Sequence, residues 1–265
     1  MRAKKIIFAR LIYICPTTVT MNIHHTRGVV LRSVKYGETS LIVSVFTELF
    51  GQQSYLVNGV RSLSKKSGAR GNPFQPAALL DLIVYHHDQR SLQRVKEYRW
   101  ATLYNHIYRD IFKSSVATFM VELLQKCLKQ PEENHPLFAF TEEALLALDK
   151  ASAPVVANFP LFFSLHLANF FGFRIPDTYQ HNNRILDLRE GVFAPAPPDH
   201  PLYLDAEHSE LIAQLLRVMQ PEELLEIPLN GATRRYLLHS VESYYATQLP
   251  EFGQLRSLQV LQDVL

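Results

Sequence analysis

The sequence predicts an α+β protein, a five-stranded β-barrel followed by an all-helical domain. Three observations carry this. Between residues 26 and 100 the apolar pattern has a period of two, in short Val-, Ile-, Leu- and Tyr-rich runs separated by Gly and Asn turns. After Trp100 the period changes to 3.6. The charge changes at the same place: residues 21–100 hold 11 Lys and Arg against 5 Asp and Glu, and residues 101–265 hold 12 against 20. The formal net charge of +2 conceals this asymmetry, which favours a polyanion partner for the first half.

The first strand is expected over Arg27–Val34, with Tyr36-Gly37-Glu38-Thr39 as its turn. The second is Leu41–Phe46, with Leu41, Val43 and Val45 on one face and Ser44 on the other. Phe50-Gly51 turns the chain into a third strand, Ser54–Asn58. A Ser-, Gly-, Lys- and Arg-rich loop follows from Arg61 to Asn72, then strands at about Leu79–His86 and Leu92–Trp100. Five strands so spaced fit the OB-fold, a common platform for oligonucleotides.

Beyond Trp100, Val116, Phe119, Met120, Leu123, Leu124, Cys127 and Leu128 form one helical stripe, ended by Gln130-Pro131. A second helix is expected from Glu142 to Lys150 with Thr141 as N-cap. A third, apolar on nearly all sides, runs from Phe159 to Phe173, with Pro160 in its first turn and Gly172 at its end. Two more are expected at about Ala206–Met219 and Thr233–Leu249. The resulting division is an N-terminal extension at 1–20, disordered or translated from an incorrect start; a nucleic-acid-binding barrel at 21–101; and a helical domain at 102–265 with an irregular insertion at about 174–203. No run of about 18 uninterrupted apolar residues occurs, so a membrane span is not expected. Two cysteines, Cys15 and Cys127, exclude a disulfide framework and a thiolate-built zinc site, and fit a reducing cytoplasm.

The chemistry is concentrated in cations. Arg61, Lys65, Lys66 and Arg70 occupy one loop without an acid, a composition that can follow a phosphate backbone without reading sequence. Arg27, Arg32 and Lys35 on the first strand would extend the same patch. On the fifth strand, strict alternation places Arg94, Lys96, Tyr98 and Trp100 on one face, a cationic and aromatic pattern suited to single strands. The competing reading makes Tyr98 and Trp100 core residues where barrel meets helices. His24-His25 and His86-His87 are adjacent pairs that point to opposite strand faces and cannot readily share an ion. No P-loop, G-x-G-x-x-G, H-E-x-x-H or G-x-S-x-G motif is present, so no enzyme and no cofactor are expected.

The order of motifs resembles one family, the bacterial RecO recombination mediators. The resemblance rests on Thr26-Arg27-Gly28-Val29-Val30-Leu31, Tyr36-Gly37-Glu38-Thr39-Ser40-Leu41-Ile42-Val43, Phe46-Thr47 with Gly51, Phe74-Gln75-Pro76 and Leu92-Gln93-Arg94-Val95-Lys96-Glu97. Phe171-Gly172-Phe173, Asp187–Phe193 and Leu255-Arg256-Ser257-Leu258 continue it. It implies an OB-fold and a helical domain, single- and double-stranded DNA binding, strand annealing, a nucleoid-associated cytoplasmic location, and partnership with RecR and the C-terminal tail of the single-strand-binding protein in loading the recombinase. That tail, acidic with an apolar end, would need an apolar pocket beside a cation such as Arg109, Lys113, Lys126, Lys129 or Arg174. Many relatives carry a four-cysteine zinc site after Phe-Gly-Phe; here residues 174–183 contain no cysteine, and packing or hydrogen bonding is expected to hold residues 174–203 instead, with Phe193 and Tyr203 as candidates for the packing. A general RNA-binding factor using the same cations is the alternative function.

Overall fold

The computed structural model of the protein describes residues 22–59 and 72–264. The expected extension at 1–20 and the cationic loop residues Arg61, Lys65, Lys66 and Arg70 lie outside the described residues.

Five strands close a barrel in the order β1-β2-β3-β5-β4. They are β1 (Asn22–Tyr36), β2 (Ser40–Thr47), β3 (Gly51–Val57), β4 (Leu79–His86) and β5 (Leu92–Trp100). All pairings are antiparallel except β3 with β5, which closes the ring through three parallel pairs. β1 is longer than expected at both ends because it pairs with β4 along its first half and with β2 along its second. The interior is filled by Val30, Leu41, Val43, Val45, Tyr55, Leu80, Leu82 and Val84, with Phe74 inserted from the segment before β4.

Helices follow: α1 (Ile111–Cys127), α2 (His135–Lys150), α3 (Ala153–Leu167), α4 (Ala206–Arg217), α5 (Gly231–Gln248) and α6 (Arg256–Val264), with 3-10 segments at Ala168–Phe171 and Pro221–Glu226. α2 starts well before the expected Glu142. Its N-cap is Asn134, whose side chain accepts from Leu137 N, and proline occupies its first turn. Thr141 lies inside the helix and its hydroxyl donates to the Leu137 carbonyl at 2.8 Å. α3 likewise starts earlier, at Ala153, so Pro160 falls inside the helix, and Ser164 Oγ donates to the Pro160 carbonyl at 2.7 Å. Gly172, at φ 81°, ends the following 3-10 turn. With that turn, α3 is long and apolar enough to cross a membrane, yet it is enclosed by α1, α2, α4 and α5 as the central helix of the bundle.

The stretch expected to be irregular contains a small sheet, β7-β6-β8: β6 (Ile185–Asp187), β7 (Val192–Ala194) and β8 (Tyr203–Leu204). Ser209 on α4 pins it, accepting from Leu186 N at 2.8 Å and donating to the Leu204 carbonyl at 3.0 Å. Arg217 holds Asp177 through two bonds of 2.7 and 3.1 Å. Phe193 is buried with its ring edge-on to Tyr179, and Tyr203, half-buried, pairs with Asp187 across the sheet.

Barrel and helices share one hydrophobic core. Val29, Leu31, Phe46, Ala77 and Leu79 turn outward from the barrel into the same cluster as α1 and α2. The linker between domains is tied down by Asp149 of α2, whose carboxylate accepts from the N–H groups of Asn105, His106 and Ile107 at 2.8–2.9 Å. Burial opposes ionisation of this carboxyl, but the three donors outweigh it and hold its pKa below the usual carboxylate range. Asp149→Ala is expected to lower the unfolding free energy by about 2–4 kcal/mol, read by urea denaturation at pH 7. Because the folded pKa is depressed, this contribution is complete above the unfolded pKa near about 4 and is lost as pH falls through the folded value. The gap between wild type and variant should therefore close on acidification.

Candidate nucleic-acid interface

Directly opposed residues of paired strands project to the same side of a sheet. On the outer side of the barrel, away from the shared core, this rule assembles two rows. Arg32, Ser44, Ser54 and Leu92 form one, and Val34, Ile42, Leu56 and Arg94 the other; Tyr36 stands beside them opposite Ser40. A hydrogen bond from Gln52 Nε2 to Ser44 Oγ at 3.3 Å adds Gln52 to this face. Val34, Tyr36 and Leu92 are 47%, 54% and 38% exposed. The surface is therefore an open, mildly apolar strip with one exposed aromatic ring and an arginine at either flank, a combination that can stack a base and hold phosphates.

Two β-bulges create this face. In β1, Val30 pairs with Val45 and Arg32 with Ser44, leaving Leu31 as the extra residue. Leu31 enters the helical core and Arg32 stays outside. In β5, Ile83 pairs with Glu97 and Val84 with Val95, leaving Lys96 extra. The bulge reverses the alternation, so the expected common face of Arg94, Lys96, Tyr98 and Trp100 does not exist. Arg94 is exposed, whereas Tyr98 and Trp100 pack on the barrel core, Tyr98 against Phe74 at 4.6 Å between ring centroids. Both are half-buried against that core. Tyr36 supplies the exposed ring instead. The alternation Arg32, Val34, Tyr36 was readable in the sequence, but only with β1 carried through to Tyr36 in place of a turn.

The expected cations divide by environment. Arg27 faces the helical domain and is fully engaged. Its Nε and Nη2 donate to Glu48 at 3.1 Å each, and Nη1 reaches both oxygens of Glu142 on α2 at 2.7 Å. The guanidinium also lies 5.3 Å over the Phe138 ring. Hydrogen bonding to Glu48 raises the Arg27 pKa still further, and the same bond holds the Glu48 carboxyl below its usual range. Arg27 therefore leaves the set of phosphate cations and becomes a clamp between domains. Arg32 and Lys35 are exposed, Lys35 near the β1–β2 turn opposite Leu41. Lys96 is exposed with Glu97 at 3.9 Å. Arg90, not expected from sequence, is exposed on the β4–β5 turn.

Two clefts border the face where α1 approaches it. One, of about 1020 Å³, brings Arg32 of β1 beside Lys126 of α1 and Arg256 of α6. The other, of about 550 Å³, joins Gln52, Ser54 and Arg90 of the barrel to Lys129 beyond α1. Among the described residues no group of three or more His, Cys, Asp or Glu side chains could hold a metal ion.

Two family models match the chain, "Recombination protein O N terminal" over residues 21–104 and "Recombination protein O C terminal" over residues 108–259. The chain belongs to the RecO family of DNA repair proteins. The DNA repair protein RecO of Bacteroides fragilis is 34% identical over 240 residues, covering 90% of this chain and 98% of that protein. That of Flavobacterium psychrophilum is 32% identical over 239 residues, with the same coverages. The boundary between the two RecO models falls in the linker held by Asp149, so the shared core and the Arg27 clamp span the junction of the two family domains.

The two classes of arginine should separate experimentally. Arg27→Met strands two carboxylates at a partly exposed junction and should cost about 1–3 kcal/mol of stability, while the affinity of the folded variant for single-stranded DNA stays unchanged. Arg32→Ala and Arg94→Ala should leave the melting temperature nearly unaltered, weaken DNA binding, and each reduce the slope of log affinity against log salt by about one.

Proposed function

We propose that this chain is a recombination mediator that binds single- and double-stranded DNA through the open face of its barrel, anneals complementary strands, and helps load the recombinase onto strands coated by single-strand-binding protein. The observation that supports it best is the strip of Val34, Tyr36, Ile42, Leu56 and Leu92 flanked by Arg32 and Arg94. Bases stack on the exposed ring and aliphatic surface, contributing about 1–3 kcal/mol per stacked base. Arg32, Lys35, Arg94 and Lys96 neutralise phosphates, joined by Arg61, Lys65, Lys66 and Arg70 of the neighbouring loop sequence. Two strands so neutralised repel each other less, which lowers the electrostatic barrier to pairing. Sequence discrimination then comes from the bases themselves, and the protein catalyses no covalent step.

The helical domain serves protein partners, RecR and the tail of single-strand-binding protein, in the nucleoid-bearing cytoplasm. For the tail, the best-suited cavity is an apolar one of about 320 Å³ at the start of α1, lined by Phe112, Lys113, Ala153, Val156 and Ala157. Exposed Arg109 stands next in sequence to Asp110 of that lining. Lys113, Lys126 and Lys129 are less suited as its cation, since they donate to the carbonyls of Asp149, Phe252 and Pro250.

The test is annealing of complementary oligonucleotides coated with single-strand-binding protein. The chain should accelerate it, and joint charge reversal of Lys65, Lys66 and Arg70 should remove most of the acceleration without lowering the melting temperature. A DNA affinity independent of salt would contradict phosphate neutralisation.

A further inference from the structure

Arg256 lies in the stretch Leu255-Arg256-Ser257-Leu258 near the C-terminal end, and neither the open sheet face nor the apolar cavity at the start of α1 uses it. It lines the 1020 Å³ cleft. Thr118, Val121 and Gln125 of that cleft come from one stripe of α1, at helical spacing. Leu31 and Arg32 of β1 supply one wall, and Arg256 and Val260 of α6 supply another. The cleft is therefore a groove along α1 that joins the barrel to the last helix.

Glu122 is the one carboxylate among its described lining residues, and it is engaged inside the fold. Its Oε1 accepts from Arg256 N at 3.0 Å, and its Oε2 accepts from Ser257 N at 2.8 Å and from Ser257 Oγ. Glu242 accepts from Leu255 N at 2.7 Å, and Lys126 donates to the Phe252 carbonyl. The entry to α6 is thus tied down at three points, with Ser257, Leu258 and Leu261 buried beneath the helix. Arg256 and Val260, one turn apart, are left on its exposed face. Arg32 and Arg256 are both exposed, and among the described residues neither guanidinium has a hydrogen bond or ion pair. With Glu122 set against Lys126, these two charges remain uncompensated.

The groove offers no deep apolar pocket, because Leu31 and Val121 are only 3% and 1% exposed. Two free arginines beside the neutral polar side chains of Thr118, Gln125 and Gln254 suit a sugar–phosphate chain better than an acidic peptide with an apolar end. Arg32 belongs to this groove and also flanks the open sheet face. We propose that the groove takes the phosphate backbone of a bound single strand as it leaves the barrel, with Arg256 as its phosphate contact in the helical domain. This rests on the DNA-binding reading above and carries the DNA surface across the domain junction. The Arg27 clamp and the shared core hold the barrel and α1 in a fixed relation, so one strand can meet both arginines without the entropy cost of ordering two domains.

The experiment measures binding of a single strand of about twenty nucleotides, longer than the roughly 4–16 that one OB-fold covers, by fluorescence anisotropy over a range of salt. The variants are Arg256→Glu, Val260→Glu, Arg32→Ala and a control, Arg235→Glu, which makes the same charge change at an exposed arginine of α5 outside the groove. Each is checked for an unchanged melting curve. Arg256→Glu should weaken binding about tenfold and lower the slope of log affinity against log salt by about one. Val260→Glu, which sets a carboxylate one turn along the same wall, should weaken it about threefold. Arg235→Glu should change it by less than about twofold. An Arg256→Glu chain that folds and binds as the control does overturns the groove, and continued weakening by Arg32→Ala would show the barrel face still at work. Unchanged DNA affinity together with lost binding of an acidic peptide with an apolar end would assign the groove to a protein partner and overturn the proposal equally. A wild-type chain that does not bind the strand overturns the DNA-binding reading itself. Should Arg256→Glu fail to fold, Val260→Glu decides.

Discussion

The side of the barrel left open to a partner is set by which side the helices cover. A closed five-stranded barrel has one continuous outer surface, and burial of apolar area is the dominant force available to orient it on a second domain. Val29, Leu31, Phe46, Ala77 and Leu79 supply that area, and all five sit in the same core as α1 and α2. Once they are buried, the outer residues further along β1 and β2 remain open. The fit is close on the adjacent edge as well. Gly51 has φ 60°, and a Cβ there would overlap the Glu132 backbone beyond α1, so both its conformation and its space require glycine.

This constraint also sorts the charges. The positive balance of residues 21–100 does not distinguish a cation that meets DNA from one that meets its own fold. Arg27 lies on the covered side and is surrounded by two carboxylates and an aromatic ring; Arg99 is drawn to Asp81 at 3.0 Å. Arg32, Lys35, Arg90 and Arg94 have no ion pair among the described residues. Exposed ion pairs contribute little to folding, so leaving these four unpaired costs the fold almost nothing and keeps their charge available to a partner.

Legibility in the sequence followed the length and regularity of each pattern. β4 and β5 begin and end where their alternation does, at Leu79–His86 and Leu92–Trp100. The phase within β5 was not readable, because a bulge at Lys96 depends on how the partner strand pairs and leaves no mark in composition. The early start of α2 did have a local signal, Asn134 before His135-Pro136, the pattern of an N-cap with proline in the first turn. β6, β7 and β8 had none, since strands of two or three residues are too short to show a period. Their place is set by Ser209 on a helix more than twenty positions away from Leu186. In the candidate site, the cationic character was readable from composition, whereas the exposed ring of Tyr36 emerged only from strand pairing.

In the proposed function, the two kinds of contact answer conflicting requirements. A protein that anneals strands must hold them without occupying the edges that pair. Stacking on Tyr36 and contacts to phosphates leave Watson–Crick edges free, so the open face can carry many bases and still permit pairing. Such a face offers no fixed register, and a strand held by charge alone slides along it.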